Sequence, residues 1–137
     1  MSGAPGMAPL NVVGYEPGVC NIGPEEIARR RRSGHVALVV SVVVLVALLV
    51  VGAPAWTRLV LVITAAGSAA GYLQARFHFC AGFGSSGVYN FGPLGTTQHV
   101  ADAAARSRDR MRSLQIGLGS LAVGLAVGIG AALLPIP

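Results

Sequence analysis

The sequence predicts an all-α integral membrane fold of three transmembrane helices. The N-terminus lies in the cytoplasm, the C-terminus outside, and a cytoplasmic loop contains a surface helix. Three observations predict this. Hydrophobic residues make up 53% of the 137-residue chain and charged residues only 11%, about half the usual charged share of a water-soluble domain. Three long runs, residues 34–52, 59–75 and 114–134, carry no charged side chain. The ten basic residues, all arginine, gather at the edges of those runs. A net charge of +5 placed that way fits membrane orientation, not phosphate contacts over a water-facing surface, so no nucleic-acid partner is expected. An all-arginine basic set also points to a GC-rich bacterial genome.

Residues 1–20 read as a flexible N-terminal tail, rich in Gly, Pro and Ala. The first apolar run begins too far into the chain for a secretory signal, and the Met-Ser start is not a lipid-attachment motif. Residues 21–137 read as one membrane domain. Its first helix starts ahead of the bilayer: Pro24 suits a first helical position, and Glu25 and Glu26 suit the positively polarised first turn. Arg29, Arg30, Arg31 and Arg32 follow at the membrane surface, a topology signal that can meet anionic headgroups at about 1 kcal/mol each.

The first span covers about residues 34–52, and as a helix it rises ~28 Å, close to the hydrocarbon thickness of a bilayer. Its valines would suit a strand in water, but a lone strand in lipid leaves its backbone groups unsatisfied. Pro54 ends a helix and Trp56 suits the headgroup level. The link at 53–57 is short enough to join only antiparallel neighbours, so the second span, about 57–75, forms a hairpin with the first. The third span covers about 114–134.

The cytoplasmic loop, 76–113, opens with "CAGFGSSG" at 80–87, whose Gly82, Gly84 and Gly87 have G-x-G-x-x-G spacing. A dinucleotide site needs those glycines between a strand and a helix of a parallel sheet. Here they follow a membrane span, so no nucleotide is expected. The stretch reads as a turn, with Phe77, Phe79, Phe83, Tyr89 and Phe91 as interfacial anchors and further turn residues at 90–95. Residues 96–112 read as the surface helix, capped by Thr96 or Thr97, with Asp102 near its start and a solvated face of alternating Arg and Asp that includes His99. That helix can run directly into the third span.

Nine arginines (29–32, 76, 106, 108, 110 and 112) fall on one side of the spans, and Arg58 alone falls on the other. The positive-inside rule therefore sets N-in, C-out topology, in a multi-pass protein of the bacterial cytoplasmic (inner) membrane. That topology places Cys20 and Cys80 on one face, at neighbouring ends of the hairpin, where a reversible thiol pair is geometrically open and a stable disulfide is disfavoured by a reducing compartment. His35 and His78 share that face, but without a close Cys-x-x-Cys pair no metal or other cofactor is expected. The spans lack ionisable groups of the kind transporters use.

What the spans offer is close packing. Gly67, Gly71 and Ala75 form a small-residue row in the second helix, and Ser120, Gly124, Gly128 and Ala132 form one in the third. Either the rows pack on each other, or one receives a membrane-protein partner or a second copy. Three helices cannot easily occupy both rows and hide all their surface, which leaves room for a partner.

The order Asn21-Ile22-Gly23, Glu26, Arg30, Gly34, an apolar hairpin and a cysteine-containing, glycine-ended turn at 80–87 resembles the small YgaP-type inner-membrane hairpin domain, over about residues 21–87. Ile27 stands where that family has arginine, and the turn lacks its Cys-Pro. The resemblance implies a membrane hairpin of unknown function, found alone or attached to sulfur-transfer domains, with no established catalytic residues. Taken together, the sequence leads to a non-catalytic accessory or assembly subunit of a larger bacterial membrane complex, a respiratory one being a candidate host. The alternative is a membrane-bound thiol- or sulfur-handling protein that uses Cys20 and Cys80.

Overall fold

The computed structural model describes residues 14–135. In chain order, α1 (Pro24–Val50) is followed by a 3-10 segment (Ala55–Val60) that leads into α2 (Leu61–Phe77). A short α3 (Ala81–Ser86) precedes β1 (Val88–Tyr89), which pairs antiparallel with β2 (Gln98–His99), and α4 (Ala103–Leu133) closes the chain. The stretches Pro24–Val50, Ala55–Phe77 and Ala103–Leu133 are each long and apolar enough to cross a membrane, as the sequence predicts.

α1 begins at Pro24 with Glu25 and Glu26 in its first turn. It ends at Val50, and Gly52, at φ 67°, turns the chain toward Pro54. α4 departs from expectation at its start. Asp102 is its cap, accepting a hydrogen bond from the Ala105 amide at 3.0 Å, whereas Thr96 and Thr97 lie before it. Gln98 and His99 are extended in β2, so His99 sits in a strand, not in a solvated helix. From Ala103 the helix runs unbroken for 31 residues, roughly 46 Å against ~30 Å of hydrocarbon. Residues 103–112 and the third span are thus one continuous helix.

The small-residue rows do not pack on each other. Gly71 faces α1, where an added Cβ would lie 2.5 Å from the Gly34 amide nitrogen and 2.7 Å from the Arg30 carbonyl oxygen. Ser68 on the same side donates to the Gly34 carbonyl at 3.0 Å. The row on α4 faces a different side of α2: a Cβ on Gly124 or Gly128 would run into Val62, and on Gly124 also into Ala66. Ser120 is buried beside them, while Ala131 is buried more fully than Ala132. The three helices therefore use Gly71 of one row and Gly124 and Gly128 of the other, because α2 uses two faces, while Gly67 stays open beside Ala37. Neither alternative, rows packed on each other or a whole row left for a partner, describes this arrangement.

The core of bulky side chains sits at the arginine-rich end. Tyr15, Tyr89, Val100 and Ala105 cluster there with Phe91 against them, and Tyr15 stacks on Tyr89 at 4.7 Å between centroids. Phe79 is fully buried. Phe79 and Tyr89 are thus core residues, where the sequence suggested interfacial anchors. Residues 14–20 of the expected tail pack into this end through Tyr15, and residues 1–13 lie outside the described residues.

Candidate functional site

The buried polar residues Asn21, Glu26, Asn90, Asp109 and Ser113 converge at the same end, in a cap where five segments meet. Asn21 is its hub. Its side chain accepts from the Cys80 amide at 2.6 Å and donates to the Cys80 carbonyl at 3.1 Å, and its own carbonyl accepts from the Asn90 amide at 3.0 Å. The Asn90 carbonyl in turn accepts from Gly23, and Gly23 lies so close to Phe91 that a Cβ would come within 2.9 Å of its backbone. The segment before α1 is thereby bonded to both ends of the α3 region.

Glu26, in the first turn of α1, is 1% exposed. Its Oε2 accepts from the Asn90 amide group at 2.9 Å. Its Oε1 meets Arg30 Nη1 at 3.0 Å as an ion pair, without hydrogen-bond alignment. Arg30 Nη2 then donates to Cys80 Sγ at 2.8 Å, and the guanidinium lies over the Phe83 ring. Arg30 is therefore turned inward, unlike Arg29, Arg31 and Arg32, which are exposed. The G-x-G-x-x-G stretch is a short helix instead of an open turn, and Gly84 is pressed between Ser113 and Phe79.

A second polar contact ties in the segment before Cys20. Asp109 is 0% exposed, accepting from the Tyr15 hydroxyl and from the Gly18 amide, each at 2.7 Å. It is not part of the solvated face expected for this stretch. Burial, then the hydrogen bond and charge of Asp109, push the Tyr15 phenol well above its ordinary value. Arg112 donates to the Gly18 carbonyl at 2.9 Å and lies over Phe77.

Cys20 and Cys80 are both free thiols. The Cys20 thiol donates to the Ile22 carbonyl at 3.8 Å, while Cys80 faces Arg30. Burial raises the Cys20 thiol above the ordinary range. His35 Nδ1 lies 2.6 Å from the Tyr72 hydroxyl, and His78 ends α2 in a left-handed conformation. Among the described residues, no group of three or more His, Cys, Asp or Glu is placed to hold a metal ion.

Sequence reasoning missed Asn21, Asn90, Tyr15 and Asp109 as polar partners, because their contacts span 59 to 94 positions. The Glu26–Arg30 spacing of four along a helix was the one legible signal. Chemically, the side chains of the cap face one another, Glu26 Oε1 through its ion pair with Arg30 alone. Compared with protein-family models, curated proteins and solved structures, the chain matches none.

Proposed function

We propose that this chain is a non-catalytic accessory or assembly subunit of a larger bacterial membrane complex, inserted N-in, C-out in the cytoplasmic membrane. The observation that carries this reading is the contrast between a cap whose polar groups are used internally and spans whose apolar faces stay uncovered. Val36, Val39, Val43, Val46 and Val50 of α1 are all exposed. Between α1 and α4, over α2, lies a cleft of about 370 Å³ lined by residues such as Leu38, Leu45, Ala65 and Val127. The small-residue rows no longer support a partner; the outer face of α1 takes over that role. The residues behind the YgaP-type resemblance, Asn21, Gly23, Glu26, Arg30, Gly34 and Cys80, all serve packing or hydrogen bonding, which fits a structural hairpin motif without its own catalysis.

The test is the native mass of the tagged protein extracted in mild detergent, with its companions identified by mass spectrometry. Stoichiometric recovery in one large complex is expected, and recovery as a monomer or small homo-oligomer overturns the reading. A C-terminal alkaline phosphatase fusion is expected to be active, reporting an external C-terminus.

The second reading, thiol or sulfur handling, is favoured by the contact that holds Cys80 Sγ 2.8 Å from Arg30 Nη2, a polar setting for a thiol at the end of the hairpin. Changing Cys20 and Cys80 to serine tests it: unchanged complex recovery and growth remove it.

A further inference from the structure

We propose that the groove between α1 and α2 headed by Arg29 and Arg32 is a binding site for an anionic phospholipid. The headgroup phosphate would sit on the two arginines, and an acyl chain would run down the apolar wall. The groove encloses about 570 Å³. Arg29, Arg32 and Ser33 form its mouth, and Val36, Val40, Ile63 and Gly67 line its length.

The four consecutive arginines are not equivalent. Arg30 is held inward by Glu26 and Cys80, and Arg31 does not line the groove. Arg29 and Arg32 are three apart and so share one helix face. Val36 and Val40 continue that face at steps of four, so the charged mouth passes into a hydrocarbon-compatible wall ~12 Å long. In a bilayer this order matches a lipid, phosphate outermost and acyl chain inward. Gly67 deepens the wall, because a Cβ there would meet only Ala37 Cβ, at 3.9 Å. Among the described residues, no acidic side chain lines the groove, so an apolar partner helix would bring no counter-charge to its arginines. A zwitterionic lipid brings its own ammonium, whereas an anionic lipid brings an uncompensated negative charge.

The experiment is native mass spectrometry of the full-length protein in detergent, titrated with phosphatidylglycerol or with phosphatidylcholine of the same acyl chains. Phosphatidylglycerol is expected to be retained preferentially. Changing Arg29 and Arg32 to glutamine weakens it about thirtyfold, at roughly fivefold per arginine. Arg31→Gln has little effect. Gly67→Leu weakens retention with both arginines intact, while circular dichroism stays unchanged. Equal retention of the two lipids, or a loss in Arg31→Gln matching the double variant, overturns the proposal. So does displacement of the lipid by excess inorganic phosphate, or retention that persists in the double variant while a partner helix co-purifies.

Discussion

At the arginine-rich end of the bundle, the pre-α1 segment, α1, α3, the β-hairpin and α4 are joined by side-chain hydrogen bonds, with Asn21, Glu26, Asn90 and Asp109 all fully or nearly buried. At the opposite end a short link joins α1 to α2, and the Arg58 side chain reaches across to α4. Arg58, 2% exposed, donates from Nη1 to the carbonyls of Ala131 at 3.1 Å and Leu134 at 3.2 Å. That places a cation on the negatively polarised C-terminus of α4, where the last carbonyls lack helical partners. The difference reflects chain connectivity. The four residues 51–54 and the 3-10 segment that follows fix the spacing of α1 and α2 covalently, and Arg58 there supplies a cap for α4. The other end must close the 25-residue connection 78–102 between α2 and α4, and its ordering entropy is offset by many specific contacts.

The comparison breaks if the polar cap contributes no more than Arg58 does. The largest expected effect is Glu26→Ala, which leaves Arg30 and Asn90 without their buried acceptor. Removing one partner of a buried ion pair costs about 3–5 kcal/mol. Thermal unfolding in detergent, followed with a thiol-reactive fluorophore, is expected to show a large drop in midpoint and early exposure of Cys80. The double change of Glu26 and Arg30 to alanine should lose less than the sum of the two single changes, because it leaves no uncompensated charge. Additive losses would mean that the pair acts independently and that the cap is held by backbone contacts alone.

Next in size is Arg58→Ala, at about 2 kcal/mol for charge-assisted bonds to two carbonyls. Its effect should be confined to the C-terminal turns of α4. Hydrogen exchange is the measurement: faster exchange near the end of α4, with amides around Asn21 and Cys80 unchanged, keeps the two ends separate. Faster exchange at both ends would show that α4 transmits strain along its length and that the ends are not independent.

The spans and the arginine edges were legible because apolar run length and charge placement depend only on local sequence. So was the start of α1, where Pro24 and the following acids act within one turn. The small residues at Gly71, Gly124 and Gly128 were recognisable as packing positions, but not which faces they meet. That depends on α2 having two sides in use, and a row in one helix does not reveal its partner. Asp109 shows the limit most directly. Flanked by Arg108 and Arg110, it reads as part of a solvated face, and only the return of the chain at 15–18 turns it into a buried acceptor. The cap was hidden for the same reason: short polar residues such as Asn21 and Asn90 look like turn formers until a distant backbone presents itself.

The smallest effect concerns that return, and it sharpens the comparison by asking whether residues 14–18 belong to the cap. Tyr15→Phe keeps the stacking on Tyr89 and removes one hydrogen bond to Asp109, for about 1 kcal/mol near neutral pH. Its pH signature is more diagnostic. Burial, together with the Asp109 carboxylate, raises the Tyr15 phenol in the folded protein above its unfolded value, which is near 10 for an ordinary tyrosine. The folded state thus holds this proton more tightly than the unfolded chain. The resulting stability is fully present below about pH 10 and declines as pH rises beyond it, by up to ~1.4 kcal/mol per pH unit. The wild-type protein should lose stability in that alkaline window faster than Tyr15→Phe, whose residual slope reports the other titrating groups. Equal slopes would mean that the Tyr15 hydroxyl titrates normally and that the segment before Cys20 only rests against α4. A flatter slope in the variant would show that it is bonded into the cap as firmly as the loop is.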